Sequence, residues 1–275
     1  MDATADLATA SPTGGVEIGF ASDGAQTRLA HLWQAAPLRV LFPDEAGEPL
    51  PTAAIVNTGG GIVGGDRLRL AVTVAARGRA RVIQSAAEKV YRSKGPEARV
   101  ATTLSLGEGA WLEWLPQETI LFDGARLRRQ LKVEIGPGGR LLAAEMLVFG
   151  RLARGERLTH GLLHDAWEIR EAGRLIWADA LHLAEPGAAL AQAPAFGGAT
   201  TVATLVYCGP DAQAQVPGVR AVAEAAGVTS LGSLVLARWV DRSPALVRRE
   251  LAAAVMALRV AAGRLPAALP RLWLM

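Results

Sequence analysis

Hydrophobic and polar residues alternate along most of this chain, which is the pattern of half-buried β-strands. The alternation begins near Val16 and is clearest in three segments, 68–74, 100–106 and 131–135. Each of these segments predicts one strand with one face buried and one face exposed. Further candidate strands are 140–149, 166–170, 174–183, 200–207 and 231–240.

Turn-forming residues separate the alternating segments and favour tight connections. The separators are Arg77-Gly78, Gly95-Pro96, Gly107-Glu108-Gly109 and Gly136-Pro137-Gly138-Gly139. Strands that recur this regularly, without helical patterns between them, indicate a sandwich, a barrel or a solenoid rather than βαβ units. The predicted fold class is therefore mainly β.

Two segments late in the chain have helical spacing instead. The stronger one begins at Ser243-Pro244, an N-cap residue followed by proline at the first helical position. Its apolar face contains Val247, Leu251, Val255 and Leu258. Gly263 is expected just after its last turn. A weaker helix is predicted over 218–226, and the Ala-, Pro- and Gly-rich segment 184–199 is predicted to be a long loop.

The domain organisation is predicted to be simple. Residues 1–14 are small and polar without periodicity, so we expect a flexible N-terminal arm. No linker rich in serine or charge interrupts the rest, and 275 residues lie within the reach of one all-β domain. We therefore expect residues 15–275 to form a single domain.

The composition excludes several classes of protein. With 51% hydrophobic and 20% charged residues, disorder over the full length is excluded. No apolar run approaches the ~18 residues that span a bilayer, and the first residues lack the basic region of a signal peptide, so we expect a soluble, cytoplasmic protein. The net charge is only +3, and no basic run is interleaved with aromatic residues, which argues against nucleic-acid binding. The single cysteine, Cys208, excludes an internal disulfide and a Cys-rich metal site.

A glycine-rich segment, Gly59-Gly60-Gly61-Ile62-Val63-Gly64, matches the dinucleotide-binding fingerprint literally. That fingerprint binds pyrophosphate only where the last glycine opens a helix, whereas here a strand pattern follows. Asp66 would also repel phosphate, and Asp66-Arg67 stands where a P-loop requires Lys-Ser/Thr. We therefore interpret the segment as a loop whose glycines adopt positive φ or allow another backbone to approach.

The histidines give no metal motif. His160 and His164 are four residues apart, but Gly161 weakens a helix here and the glutamate of an HExxH motif is missing. On a strand the two side chains would lie ~13 Å apart, too far to share one ion. A solvated or hydrogen-bonded pair is the better interpretation, and His31 and His182 are interpreted as isolated core or edge histidines.

The chain also has no recognisable catalytic nucleophile. There is no GxSxG elbow, and Cys208 has no histidine near it in sequence. Carboxylates are numerous: Glu113, Glu118, Asp123, Glu145 and Glu156. Two of them facing each other would suit a carbohydrate-active hydrolase or lyase on a β-helix, which is the alternative function.

Four blocks together have the order and spacing of a known family. They are 57–66 (NTGGGIVGGD), 84–93 (QSAAEKVYRS), 112–122 (LEWLPQETILF) and Glu145 with 150–156 (GRLARGE). The segments 227–231 and 270–273 extend the likeness, so that it covers about residues 30–273. The chain resembles the urease accessory protein family UreD, called UreH in some bacteria. Two departures from the family pattern are Glu88, where threonine is more usual, and Val255, where an aromatic residue is common.

This resemblance implies a fold and a role. The fold is a many-stranded, β-helix-like solenoid with about two α-helices, one near the C-terminus. The role is non-enzymatic: members bind urease apoprotein and, with UreF and the GTPase UreG, support delivery of nickel to the urease active site. A dimer within the accessory complex is possible. No cofactor is expected to bind tightly, and nickel would be in transit.

A delivery scaffold should hold nickel weakly, because tight binding would have to be overcome on release. Carboxylates, carbonyls and water give weaker and faster-exchanging sites than imidazole or thiolate. We therefore hypothesise that the acids inside the matched blocks line a path for nickel: Asp66, Glu118, Glu145 and Glu156. Residues expected on the wall of the path or on a partner surface are Gly60, Gly64, Gly65, Lys89, Tyr91, Arg92, Gln117 and Arg151.

Overall fold

A computed structural model describes residues 12–24, 26–43 and 47–273. In chain order its strands are β1 (Gly14–Ser22), β2 (Thr27–Ala35), β3 (Leu38–Leu41), β4 (Thr52–Asn57), β5 (Arg67–Val74), β6 (Arg79–Gln84), β7 (Glu88–Val90), β8 (Ala98–Leu106), β9 (Trp111–Leu115), β10 (Thr119–Leu121), β11 (Arg126–Ile135), β12 (Arg140–Phe149), β13 (Leu162–Glu171), β14 (Arg174–Leu183), β15 (Thr201–Cys208), β16 (Gly227–Leu231) and β17 (Leu234–Asp241). The helices are α1 (Pro186–Ala191), α2 (Ala212–Val222) and α3 (Pro244–Ala261). The first eleven residues of the predicted arm lie outside the described residues.

The strands form two sheets. The first sheet has the order β14-β13-β11-β8-β5-β1-β2, and the second has the order β16-β17-β15-β12-β9-β6-β4-β3. Two short strands extend the second sheet: β10 pairs with β12, and β7 pairs with β10. Along the chain from β4 to β13 the long strands alternate between the sheets, and strands stacked within a sheet run parallel. Each coil therefore contributes one strand to each sheet. The predicted mainly β, solenoid-like fold with a helix near the C-terminus is confirmed.

Glycine-rich turns allow the coils to stack closely. Gly107 follows β8, and a Cβ placed on it would lie 2.5 Å from the backbone nitrogen of Ala76 in the neighbouring coil. Gly107 N instead donates to Val74 O at 2.8 Å, and Gly136 N donates to Leu106 O at 2.7 Å. The same glycines that predicted turns therefore also carry the hydrogen bonds between successive turns.

Two hydrophobic cores lie on opposite faces of the second sheet. The first core fills the space between the sheets, with Val72 and Leu131 among its buried residues. The second core lies between the second sheet and helices α2 and α3, with Trp239 and Leu251 among its residues. Because β12 is covered on both faces, its sequence is almost continuously apolar rather than alternating.

Helix α3 agrees with the sequence prediction. The Ser243 hydroxyl accepts a hydrogen bond from Leu246 N at 3.2 Å, and Pro244 occupies the first turn. The predicted apolar face is buried, and Gly263 N donates to Leu258 O at 3.1 Å beyond the last turn. Among the described residues, each helix is too short or too polar to cross a membrane.

The other late elements correct the prediction in three places. Helix α2 begins six residues before the predicted 218 and contains Pro217, because one missing donor does not end a helix whose apolar side packs on the second core. The predicted loop 184–199 contains the short helix α1, which proline opens at its first turn. The predicted strand 231–240 is the end of one strand and most of the next, joined at Gly232, whose φ is +58°.

Candidate functional site between the two sheets

The space between the sheets contains a buried group of charges, which we call the interior cluster: Arg129 on β11, Asp165 on β13 and Glu145 on β12. Arg129 donates two hydrogen bonds to Asp165, from Nε to Oδ1 at 2.8 Å and from Nη2 to Oδ2 at 2.7 Å. Its Nη2 also lies 2.7 Å from Glu145 Oε2. Because Glu145 belongs to the second sheet and the other two to the first, the cluster links both sheets across the core.

Strand periodicity places these three side chains in the interior. Arg129 is two residues from both Leu127 and Leu131, which are buried between the sheets. Asp165 lies between Leu163 and Trp167 in the same phase. Alternate side chains of a strand point to the same face of the sheet. A charged residue in the same phase as buried apolar residues therefore points into the interior.

Burial raises the pKa of the Glu145 carboxyl group. Removal of its carboxylate from water raises its pKa to about 7, although the neighbouring Arg129 favours the charged form. The indole Nε1 of Trp114 donates to Glu145 Oε1 at 3.4 Å. The other oxygen, Oε2, is in ion-pair contact with Arg129 but accepts no hydrogen bond within the described part of the chain. This carboxyl group therefore takes up a proton more readily than an exposed glutamate does.

A second buried carboxyl group lies in the same region. Glu88 on β7 is 9% exposed, and Asn57 Nδ2 donates to its Oε1 at 3.2 Å. Burial, partly offset by that hydrogen bond, raises the pKa of Glu88 to about 7. Glu88 and Glu145 both line a cavity of about 40 Å³, together with Gln84, whose Oε1 also accepts no hydrogen bond among the described residues. The cavity thus presents carboxyl and amide oxygens to whatever enters it.

The interior cluster lies between this cavity and a larger one. Arg129 and Glu145 line the small cavity, whereas Asp165 lines a cleft of about 220 Å³. That cleft is also lined by Asp179 and Arg238, which form an ion pair with each other. The guanidinium of Arg129, bonded to carboxylates on both sides, therefore separates the two spaces.

The structure does not bring the four acids of the predicted nickel path together. Of these four, Glu145 is the buried one. Asp66 closes the glycine loop, where its Oδ2 accepts from Val63 N at 2.9 Å. Glu118 forms an ion pair with Arg248 on α3. The fourth acid, Glu156, forms an ion pair with Arg151.

The glycine loop and Glu156 belong to one partly exposed surface, which we call the rim: Gly60, Tyr91, Phe122, Arg151 and Glu156. The Tyr91 hydroxyl donates to Gly60 O at 3.0 Å, and the Tyr91 ring meets Phe122 edge to face at 5.0 Å. Arg151 stacks 4.4 Å above the Phe122 ring and donates from Nε to Glu156 Oε1 at 3.1 Å. That hydrogen bond lowers the pKa of Glu156. Residues from all four sequence blocks therefore meet on one surface.

Other residues predicted for the path wall or a partner surface flank the rim. A Cβ on Gly64 would lie 2.1 Å from Ser93 Oγ, and Gly65 has a φ of +92°, so both positions suit glycine. Lys89 is exposed on β7. Arg92 Nη2 lies 3.2 Å from His160 Nε2.

Gln117 lies apart from the rim, in contact with α3. It is buried, and its Oε1 accepts from Arg248 Nη2 at 2.8 Å. Gln117 and Glu118 thus join the end of β9 to α3 and to the C-terminal segment rather than facing the interior cavities.

The amino-acid sequence is similar to those of known proteins over almost its whole length. The family described as UreD urease accessory protein matches residues 12–274. The chain belongs to the UreD family. It is 44% identical over 258 residues to the urease accessory protein UreD of Methylobacterium sp. (strain 4-46), an alignment that covers 91% of this chain and 90% of that protein. It is 41% identical over 273 residues to the urease accessory protein UreD of Magnetococcus marinus, covering 94% of this chain and 93% of that protein.

For this UreD-family chain, sequence reasoning missed much of the interior site. Arg129, Asp165 and Gln84 were not among the predicted site residues, and Glu88 was noted only as a departure from the family pattern. A usable signal did exist, since Arg129 and Asp165 are charged residues in the buried phase of alternating strands. The described residues contain no group of three or more His, Cys, Asp or Glu side chains arranged to hold a metal ion.

Proposed function

We propose that this chain is a non-catalytic scaffold for urease maturation in the cytoplasm. It binds urease apoprotein and, together with UreF and the GTPase UreG, supports the insertion of nickel into the urease active site. Nickel passes through the interior between the two sheets. Membership of the UreD family supports the accessory role, and the buried oxygens of the interior cluster, between two cavities, are the single observation that supports the route.

The chemistry of the interior suits an ion in transit. Carboxyl and amide oxygens bind Ni²⁺ less tightly than imidazole or thiolate, so an ion can enter and leave. Glu88 and Glu145 both have a pKa raised to about 7 by burial, so either can release a proton when a cation approaches. A buried carboxyl that changes protonation state avoids the large cost of a permanently isolated charge.

Arg129 acts as a gate in this proposal. Its guanidinium occupies the position between Glu145 and Asp165 that a dication would take. A divalent ion that reaches the small cavity would compete with Arg129 for both carboxylates, and Arg129 would have to turn away for the ion to pass. The Thr119 hydroxyl, which accepts from Arg129 Nη1 at 3.3 Å, offers a contact on the side of the small cavity.

The carbohydrate-active alternative receives no specific support. Of its candidate acids, Glu145 lies in the interior, where it is buried and shares one arginine with Asp165, a residue outside the predicted set. A glycosidase needs one carboxyl group to protonate the leaving oxygen and another to face the sugar, with both open to substrate. We therefore do not propose it.

The test is the nickel content of urease purified from cells that carry the whole urease gene cluster. We expect the double variant Glu88→Gln/Glu145→Gln to lower nickel per urease severalfold, while the amounts of urease and UreF recovered with the chain stay unchanged. Glu108→Gln, at an exposed turn, serves as the matched carboxylate control. Full nickel loading by the double variant would refute the interior route but not the scaffold role. Recovery of neither urease nor UreF with the wild-type chain would refute the scaffold role.

A further inference from the structure

Two histidines face each other on the outer surface of the first sheet. His164 on β13 is paired directly with His182 on the antiparallel neighbour β14. Their ring centroids are 5.5 Å apart, with 64° between the ring planes. Directly opposed residues on antiparallel strands have their Cβ atoms about 4.5–5.5 Å apart, so both imidazoles project from nearly the same place. The pairing that matters is therefore 164 with 182, not 164 with 160.

The two histidines differ in exposure, and both can be reached from solvent. His182 is exposed and His164 is half-buried. Partial burial, followed by the nearby Arg128, lowers the pKa of His164, so its imidazole is neutral at neutral pH and has a lone pair to donate. The charge of Arg128 is itself offset, since its Nε donates to Glu97 at 2.9 Å. The cation next to the pair thus weakens a metal site without preventing it.

We propose that His164 and His182 form a binding site for a late divalent transition metal ion such as Ni²⁺, with water completing the coordination. Imidazole is a favoured ligand of Ni²⁺, Cu²⁺ and Zn²⁺. A metal about 2.1 Å from one nitrogen of each ring places the ring centroids roughly 5 Å apart, close to the observed spacing. With two protein ligands the site is weak and exchanges its ion readily. It does not depend on the proposed function, because it lies on the outer face of the sheet, away from the interior cluster.

Titration of the purified chain, without any affinity tag, tests this proposal. Isothermal calorimetry with Ni²⁺, Co²⁺ and Mg²⁺ would compare the wild type with His164→Ala and with His182→Ala. We expect affinity to fall in the order Ni²⁺, Co²⁺, Mg²⁺, and either substitution to weaken Ni²⁺ binding about tenfold or more. Added Ni²⁺, which is paramagnetic, should broaden the imidazole proton signals of both histidines in the wild type before those of His31.

His31→Ala is the matched control, because this exposed histidine on β2 lies beside Glu17 at 3.5 Å rather than opposite another imidazole. Its Ni²⁺ affinity should equal that of the wild type. Metal-free unfolding midpoints of the variants should agree, which excludes a folding defect. Unchanged Ni²⁺ affinity in both His164→Ala and His182→Ala would overturn the proposal. Loss of binding only in Glu88→Gln/Glu145→Gln would also overturn it, because the ion would then be held by the interior carboxyl groups.

Discussion

Two groups of buried charges lie on opposite faces of the second sheet, and they differ in how completely they are bonded. The interior cluster lies between the sheets. The second group, which we call the helix cluster, lies beneath α3 and consists of Glu48, Arg81, Glu113 and Arg259. In the helix cluster, Arg81, Glu113 and Arg259 are 0% exposed. The two groups therefore share burial and charge but not their connections.

The helix cluster is a closed network. Arg259 is bonded to Glu113, to Glu48 at 3.2 Å and to Pro266 O at 3.3 Å. Arg81 Nη1 lies 2.9 Å from Glu48 Oε2, and its Nη2 donates to Thr52 Oγ1 at 2.9 Å. Among the described residues, no buried side-chain polar atom of this network is left without a hydrogen-bond partner. Such a network fixes the position of a helix on a sheet.

The interior cluster is open by comparison. An oxygen of Glu145 accepts no hydrogen bond among the described residues, and cavities adjoin the group on two sides. Evolution can keep a buried charge for register or for function, and burial alone does not separate these reasons. The comparison teaches that two buried groups of charges in one fold can differ in the completeness of their hydrogen bonding and in the space beside them.

The largest decrease in the free energy of unfolding should follow replacement of Arg259, the cation at the centre of the helix cluster. Arg259→Met leaves Glu113 buried, and burial already raises the pKa of that carboxyl. We expect the free energy of unfolding to fall by about 3–5 kcal/mol, measured by urea denaturation. Arg249→Met on the exposed side of the same helix is the control and should cost less than about 0.5 kcal/mol. Equal losses for the two variants would show that the helix cluster does not anchor α3.

A pH titration of stability should detect the buried carboxyl beside the interior cluster. The pKa of Glu88 is raised from 4.5 to about 7 in the folded chain, so its contribution to stability is present below pH 4.5 and is lost as the pH rises through 7. Glu88→Gln never ionises. Relative to the wild type, this variant should therefore be more stable at pH 8 than at pH 4.5 by up to about 3 kcal/mol.

The readout for Glu88 is the difference in unfolding free energy between variant and wild type across that pH range. Glu108→Gln, at an exposed turn, is the control. Its profile of unfolding free energy against pH should be parallel to that of the wild type. If the profiles of Glu88→Gln and the wild type are also parallel, Glu88 is ionised at neutral pH and the interior is wetter than the geometry indicates.

We expect a smaller decrease in the free energy of unfolding when Arg129, the arginine of the interior cluster, is replaced. Arg129→Met leaves Glu145 and Asp165 facing each other, but Glu145 can take up a proton and water can enter the adjoining cavities. We expect a cost of about 1–3 kcal/mol at pH 6, below that of Arg259→Met, in the same urea experiment. A cost equal to or above that of Arg259→Met would mean that the interior cluster is as closed as the helix cluster.

Local signals in the sequence were sufficient for much of the fold. The cap at Ser243 and the period-two runs ending at Val74, Leu106 and Ile135 involve residues close together in the chain, and these features agree with the structure. The solenoid itself came from the family resemblance, since alternation alone left a sandwich or barrel open. The coils arise because successive strands join different sheets. The hydrophobic pattern within one strand carries no information on which sheet the next strand joins.

The site was harder to predict because its parts are distant in sequence. Arg129 and Asp165 are 36 residues apart, and their pairing depends on β11 lying beside β13 in one register. Glu118 and Glu145 look alike as acids in family blocks, but Arg248, 130 residues away, pairs with Glu118 at the surface. The partner of His164 was set in the same way by the register of β13 and β14.

The smallest effect should come from Glu118, which the sequence placed on the nickel path and the structure places beside α3. Its ion pair with Arg248 is about one quarter exposed, so Glu118→Gln should change the free energy of unfolding by less than about 1 kcal/mol. Because Glu118 does not line either interior cavity described above, we also expect nickel per urease to stay near the wild-type value in cells, in contrast to Glu88→Gln/Glu145→Gln. If Glu118→Gln instead lowers the nickel content as much as that double variant, the ion travels along the α3 side of the second sheet. The open interior cluster would then be only a second structural network.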